Sequence, residues 1–110
     1  MQIPLFTPQT EWIPPEEFPD LSKHKEIAID LETKDPDLIK MGSGSIMGKG
    51  HVTGISVAVE GWSGYFPIAH EGGGNMDMNR VLSWFREVMR TNSTKIFHNA
   101  MYDMSWIMTL

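Results

Sequence analysis

Apolar and polar residues alternate along Ile27-Ala28-Ile29-Asp30-Leu31-Glu32-Thr33 with the two-residue period of a strand. This predicts a first strand ending near Glu32. Ile27, Ile29 and Leu31 share one face, and Ala28, Asp30 and Glu32 share the other. His51 to Glu60 alternates in the same way and predicts a second strand. Gly61-Trp62-Ser63-Gly64 reads as a turn, and Tyr65–Ala69 as a returning third strand. The pattern then changes period. Met78, Val81, Leu82, Phe85, Val88 and Met89 mark one stripe of a helix from Met78 to Arg90, with Asp77 as its N-cap and Thr91-Asn92-Ser93 as its end. A short fourth strand over Lys95–His98 and a last helix over Asn99–Thr109 complete the prediction. Met101, Met104, Ile107 and Met108 are expected to pack in the core, as are Trp84 and Trp106.

Before this block, and between its first two strands, the pattern fades. Residues 1–23 hold Pro4, Pro8, Pro14, Pro15 and Pro19 and read as an extended or turn-rich arm. Leu5, Phe6, Trp12, Ile13 and Phe18 either anchor it along the domain of residues 24–110 or belong to a disordered leader. Lys34–Gly50 is a glycine-rich loop. Its Gly44-to-Gly50 stretch fails the phosphate-loop pattern, because Ser43 stands where the first Gly belongs and Gly50 where Ser or Thr belongs. Lys40 and Lys49 leave it able to touch single-stranded DNA, although a solvated hairpin tip is the simpler reading.

Composition narrows the class. A length of 110 residues allows one small domain, and 41% apolar content suffices for a core. Without cysteine there is neither a disulfide framework nor a thiolate metal site. No apolar run approaches a membrane span, and Met1-Gln2-Ile3-Pro4 does not open a secretory signal, so no membrane partner is expected and the cytoplasm is the default compartment. A net charge of −5 is wrong for a free-standing, tight nucleic-acid binder.

The candidate chemistry is acidic. Asp30 and Glu32 lie about 7 Å apart along one strand face and repel unless a cation sits between them. A hard divalent ion, which prefers oxygen ligands, suits that pair. Asn99 and Asp103 lie one helical turn apart after a strand, where open α/β sheets place their sites. Blander readings stand beside these: a strand end in solvent for Asp30 and Glu32, and a helix cap for Asn99. No His pair shows zinc spacing; His98 reads as a loop residue, and His70 as packing beside the site. Asp35 and Asp37 read as a solvated turn around Pro36.

Asp30-x-Glu32-Thr33, followed by Asn99-x-x-x-Asp103, resembles the first two motifs of the DEDD superfamily of 3′→5′ exonucleases. The resemblance is to the proofreading domain of family A (polymerase I-like) DNA polymerases, bacteriophage ones in particular. Val52-Thr53-Gly54-Ile55-Ser56-Val57-Ala58 resembles the family's second strand, and Tyr65-Phe66-Pro67-Ile68-Ala69-His70 its third strand with the following P-[IV]-A-H. The resemblance implies a ribonuclease H-like α/β fold: a mixed sheet flanked by helices, truncated at its C-terminal end. It implies two Mg²⁺ or Mn²⁺ ions held by Asp30, Glu32 and Asp103 as the catalytic groups. Asn99 and Thr33 would contact the terminal nucleotide, Thr33 through its backbone. The partners implied are a single-stranded DNA 3′ end and the remainder of a polymerase chain that holds it, in a host or bacterial cytoplasm.

The family's third motif, Tyr-x-x-x-Asp, does not follow, so the 110 residues carry an N-terminal portion with two motifs. A fifth strand and its helix would be missing, which leaves strand four with an unpaired edge and the chain marginally stable. Two other readings remain: a stand-alone DEDD exoribonuclease, and a catalytically inactive, partner-binding fragment.

Overall fold

The computed structural model describes residues 18–35, 44 and 50–110. Their elements run β1 (Glu26–Lys34), β2 (His51–Val59), β3 (Trp62–Pro67), α1 (Met78–Arg90), β4 (Thr94–Phe97) and α2 (Ala100–Ile107). The strands form one mixed α/β sheet in the order β3-β2-β1-β4. β1 pairs antiparallel with β2 and parallel with β4, and β2 pairs antiparallel with β3.

The alternation along β1 is realised. Ile27, Ile29 and Leu31 are buried, whereas Ala28, Asp30 and Glu32 are exposed. Register carries the open face across the sheet, because Asp30 stands opposite Ser56 and Ser56 opposite Tyr65. The covered face packs against α1, whose Val81, Leu82, Phe85 and Val88 are buried as the helical stripe requires. Asp77 caps α1 by accepting from the Asn79 and Arg80 amides. Leu21, Phe66 and Trp106 join the same cluster. Phe18 also packs there, its ring centroid 5.7 Å from both Phe66 and Trp84. The other proposed arm anchors lie outside the described residues, as do Lys40, Lys49 and Asp37. Trp84 packs 4.7 Å from Phe66 and donates its indole N–H to the Pro19 carbonyl at 2.8 Å. Among the described residues no helix is long and apolar enough to cross a membrane.

Two expectations are corrected. The hairpin turn is Glu60-Gly61 rather than four residues, and β3 begins at Trp62. Gly61 adopts φ +86°, which lets two residues reverse the chain and leaves Trp62 free to pack on Phe66 and Trp84. The methionines of α2 and its C-cap Met108 are not core. Met101 and Met108 are 88% and 83% exposed, because α2 turns Asp103 and Trp106 inward instead. On a helix of two turns one face alone reaches the sheet, and Asp103 and Trp106, three apart, occupy it.

Candidate active site

β1 and β4 run parallel, so both end at the same edge of the sheet. The pairing of Ile29 with Phe97 puts Asp30 of β1 level with the start of the β4–α2 connection. Asn99 begins α2 as its N-cap, its side chain accepting from the Tyr102 amide, and Asp103 follows one turn later. The strand edge and the helix start therefore bring Asp103 within reach of the Asp30 charge.

Asp103 is an unusual carboxylate. It is 3% exposed, and its Oδ2 has no hydrogen-bond partner among the described residues. Burial, and next the negative charge of Asp30, push its pKa above the ordinary value; the Asn99 backbone and His98 offset this in part. A buried carboxylate facing a second acid with an oxygen unclaimed is unfavourable by itself, and suits a cation.

Glu32 has different company. The Tyr65 hydroxyl donates to Glu32 Oε2 at 2.8 Å and lies 2.5 Å from His70 Nε2. His70 Nε2 is 3.6 Å from the same Glu32 oxygen. The phenol crosses from β3 directly over Gly54 of β2. A Cβ at position 54 would sit 1.9 Å from the phenol oxygen, so Gly is the residue that permits the crossing. His70 thus does stand beside the acidic strand.

A third set ties β1 to α2. Tyr102 donates to Asp35 Oδ2 at 2.9 Å, so the Thr33 hydroxyl, also 2.9 Å away, must donate to Tyr102. Asp35 in addition accepts from the Gly44 amide at 3.0 and 3.1 Å. Asp35 is therefore a half-buried tether rather than a solvated turn residue, because a carboxylate just past a strand end can collect donors from two neighbouring segments. The Tyr102→Phe protein, which keeps the ring and loses the hydroxyl, is expected to lose about 1 kcal/mol of stability, measured as a lower urea midpoint at unchanged slope.

Tyr65, Gly54, Tyr102 and Asp35 are the site residues that sequence reasoning missed. One signal was available for the first two: a Gly inside an otherwise regular strand marks a close approach by another group.

The donor set suits a divalent cation, since Asp30, Glu32 and Asp103 offer only oxygens and Asp103 Oδ2 is unclaimed among the described residues. Among the described residues no three acidic or histidine side chains stand together as a ready ion cage. Asp30 and Asp103 form the pair, and Glu32, two residues along the same face, is engaged by Tyr65.

The fold and the site define an α/β domain with paired carboxylates at the C-terminal edge of two parallel strands. A DNA-directed DNA polymerase of Pseudomonas phage M6 is 39% identical to this chain over 113 residues, an alignment that covers 97% of the chain and 17% of the polymerase. The chain is thus related along nearly its whole length to a segment of a phage DNA polymerase, and spans less than a fifth of that relative. No protein-family profile matches the chain. No solved structure matches it.

Proposed function

We propose that these residues are the first two motifs of a DEDD-type 3′→5′ proofreading exonuclease, with a ribonuclease H-like fold, in a family A-like phage DNA polymerase. The observation that carries the reading is the buried Asp103 carboxylate at the shared end of β1 and β4, its pKa raised first by burial and next by the charge of Asp30. Similarity to a phage polymerase supplies the context.

In this reading Asp30, Glu32 and Asp103 would hold two Mg²⁺ or Mn²⁺ ions. Such ions, when bound, neutralise charge at a phosphodiester and make a nearby water more acidic. The chain's own residues do the remaining work. Asn99 commits its Oδ1 to the Tyr102 amide, so its amide nitrogen is the part that faces outward as a donor to a terminal nucleotide. Thr33 is fixed by its hydroxyl contact to Tyr102, which holds its backbone still beside the acids. The bond broken is the last phosphodiester of a single-stranded 3′ end, and the products are a nucleoside 5′-monophosphate and a DNA shorter by one residue.

The test is digestion of 3′-labelled single-stranded DNA by the full natural protein with Mn²⁺, beside Asp30→Ala. Metal-dependent release of mononucleotides by the wild type, reduced to background in the variant, is expected. A folded, Mn²⁺-loaded wild type that releases none would overturn the reading in favour of an inactive, partner-binding segment. An RNA of the same sequence, degraded in preference to the DNA, would replace the substrate.

A further inference from the structure

The line of contacts behind Glu32 is more elaborate than an exposed acid on a sheet face requires. Asn75 clasps the His70 backbone from both sides: its Oδ1 accepts from the His70 amide at 2.7 Å, and its Nδ2 donates to the His70 carbonyl at 2.9 Å. The preceding residue is held as well, with His51 Nε2 3.2 Å from the Ala69 carbonyl. His70 then meets Tyr65, and Tyr65 meets Glu32. A phenol has one hydrogen and an ionised carboxylate can only accept, so the phenol donates to Glu32, and in the contact with His70 the ring nitrogen is the donor and the phenol oxygen the acceptor. Gly54 completes the arrangement by leaving the space through which the ring crosses.

We propose that Tyr65, held by His70 and Asn75 and admitted by Gly54, is a positioning residue that fixes the Glu32 carboxylate for a divalent cation; this rests on the exonuclease reading above. Glu32 is exposed, with three rotatable bonds to order before it can serve as a ligand. Tyr65 donates to Oε2 and so orders the side chain in advance of the ion. Hydrogen bonds of this kind behind a ligating carboxylate typically set metal affinity by about 10–100-fold. The Tyr65 ring also covers the bare backbone of Gly54, so loss of the hydroxyl alone, as in Tyr65→Phe, leaves the packing in place.

The experiment is a double-mutant cycle read by Mn²⁺ affinity, without DNA and without turnover, on the full natural protein. Wild type, Tyr65→Phe, Glu32→Ala and the double variant are titrated. The result expected is affinity weakened roughly tenfold or more by Tyr65→Phe, and no further loss from that change once Glu32 is Ala. Gly54→Ala, which displaces the ring, is expected to match or exceed the loss in Tyr65→Phe. Affinity unchanged or tightened in Tyr65→Phe while the wild type binds Mn²⁺ and cleaves DNA would overturn the positioning role and leave the exonuclease reading standing. An equal loss from Tyr65→Phe with and without Glu32 would overturn it too, because the residue would then act on packing rather than through the carboxylate. A wild type that neither binds Mn²⁺ nor cleaves would overturn both.

Discussion

Asp103→Asn is expected to stabilise the protein and at the same time, on the exonuclease reading proposed above, to abolish divalent-metal binding and 3′-end hydrolysis. Opposite signs follow from one cause. The wild-type carboxylate is buried, has Oδ2 unclaimed among the described residues, and faces the charge of Asp30. Each factor penalises the ionised form in the folded state but not in the unfolded chain. The folded pKa therefore stands above the ordinary value of 3.8, and between those two values the folded protein binds more protons than the unfolded one. Stability contributed by this group is thus greatest at low pH and falls as pH rises from about 3.8 through the raised folded value, after which the penalty is constant. Asn has nearly the same shape and no charge. The variant is expected to gain about 1 kcal/mol at pH 7, a rise of about 4–8 °C in melting temperature, and to show a gain that shrinks towards pH 4. Melts at both pH values check it. A variant that melts below the wild type at pH 7 would show the carboxylate to be satisfied in the folded state. Mn²⁺ should raise the wild-type melting temperature and leave that of the variant unmoved, since a ligand that binds only the folded state stabilises it.

Trp106→Ala is the substitution expected to cost the most stability. Trp106 is 2% exposed and ranks with Phe66 among the largest fully buried side chains. Its ring meets Tyr102 edge-on with centroids 6.3 Å apart, and it follows Asp103 by three residues on the inward face of α2. Truncation to Ala removes this anchor and is expected to cost about 3–5 kcal/mol. A small domain has a total stability of about 5–15 kcal/mol, so urea denaturation should show a large fall in midpoint. Trp106→Phe should recover much of it. Loosening α2 also frees Asp103 and Tyr102, so the Ala variant is expected to lose Mn²⁺ affinity even under conditions where the fold persists.

Both substitutions fall on α2, where sequence and structure part company. Asn99 and Asp103 were legible at the start of that helix, because cap chemistry and a four-residue spacing are local properties. The helix face was not. Met101, Met104, Ile107 and Met108 look like a packing stripe; Ile107 does pack against the core, but the three methionines are turned outward because burial of one Trp and one Asp decides the rotation. In β1 the acidic and apolar faces followed from the two-residue period without tertiary information. The Glu60-Gly61 turn was misread because Trp62 looks like a turn residue only until Phe66 and Trp84 are known to stand beside it.

The sequence by itself determined the α1 stripe and its Asp77 cap, the buried and open faces of β1, and the two acidic motifs, since each is written in residues a few positions apart. Tertiary structure alone decided what those acids face. Asp30 and Asp103 meet because β1 and β4 run parallel and end together. Glu32 meets Tyr65 because β2, lying between their strands, carries a Gly where any side chain would block the phenol. Asp35 becomes a tether because Tyr102 and Gly44 reach it from distant segments. Contacts of this kind depend on strand order and on the volume of the residue between, and neither is a local property of the chain.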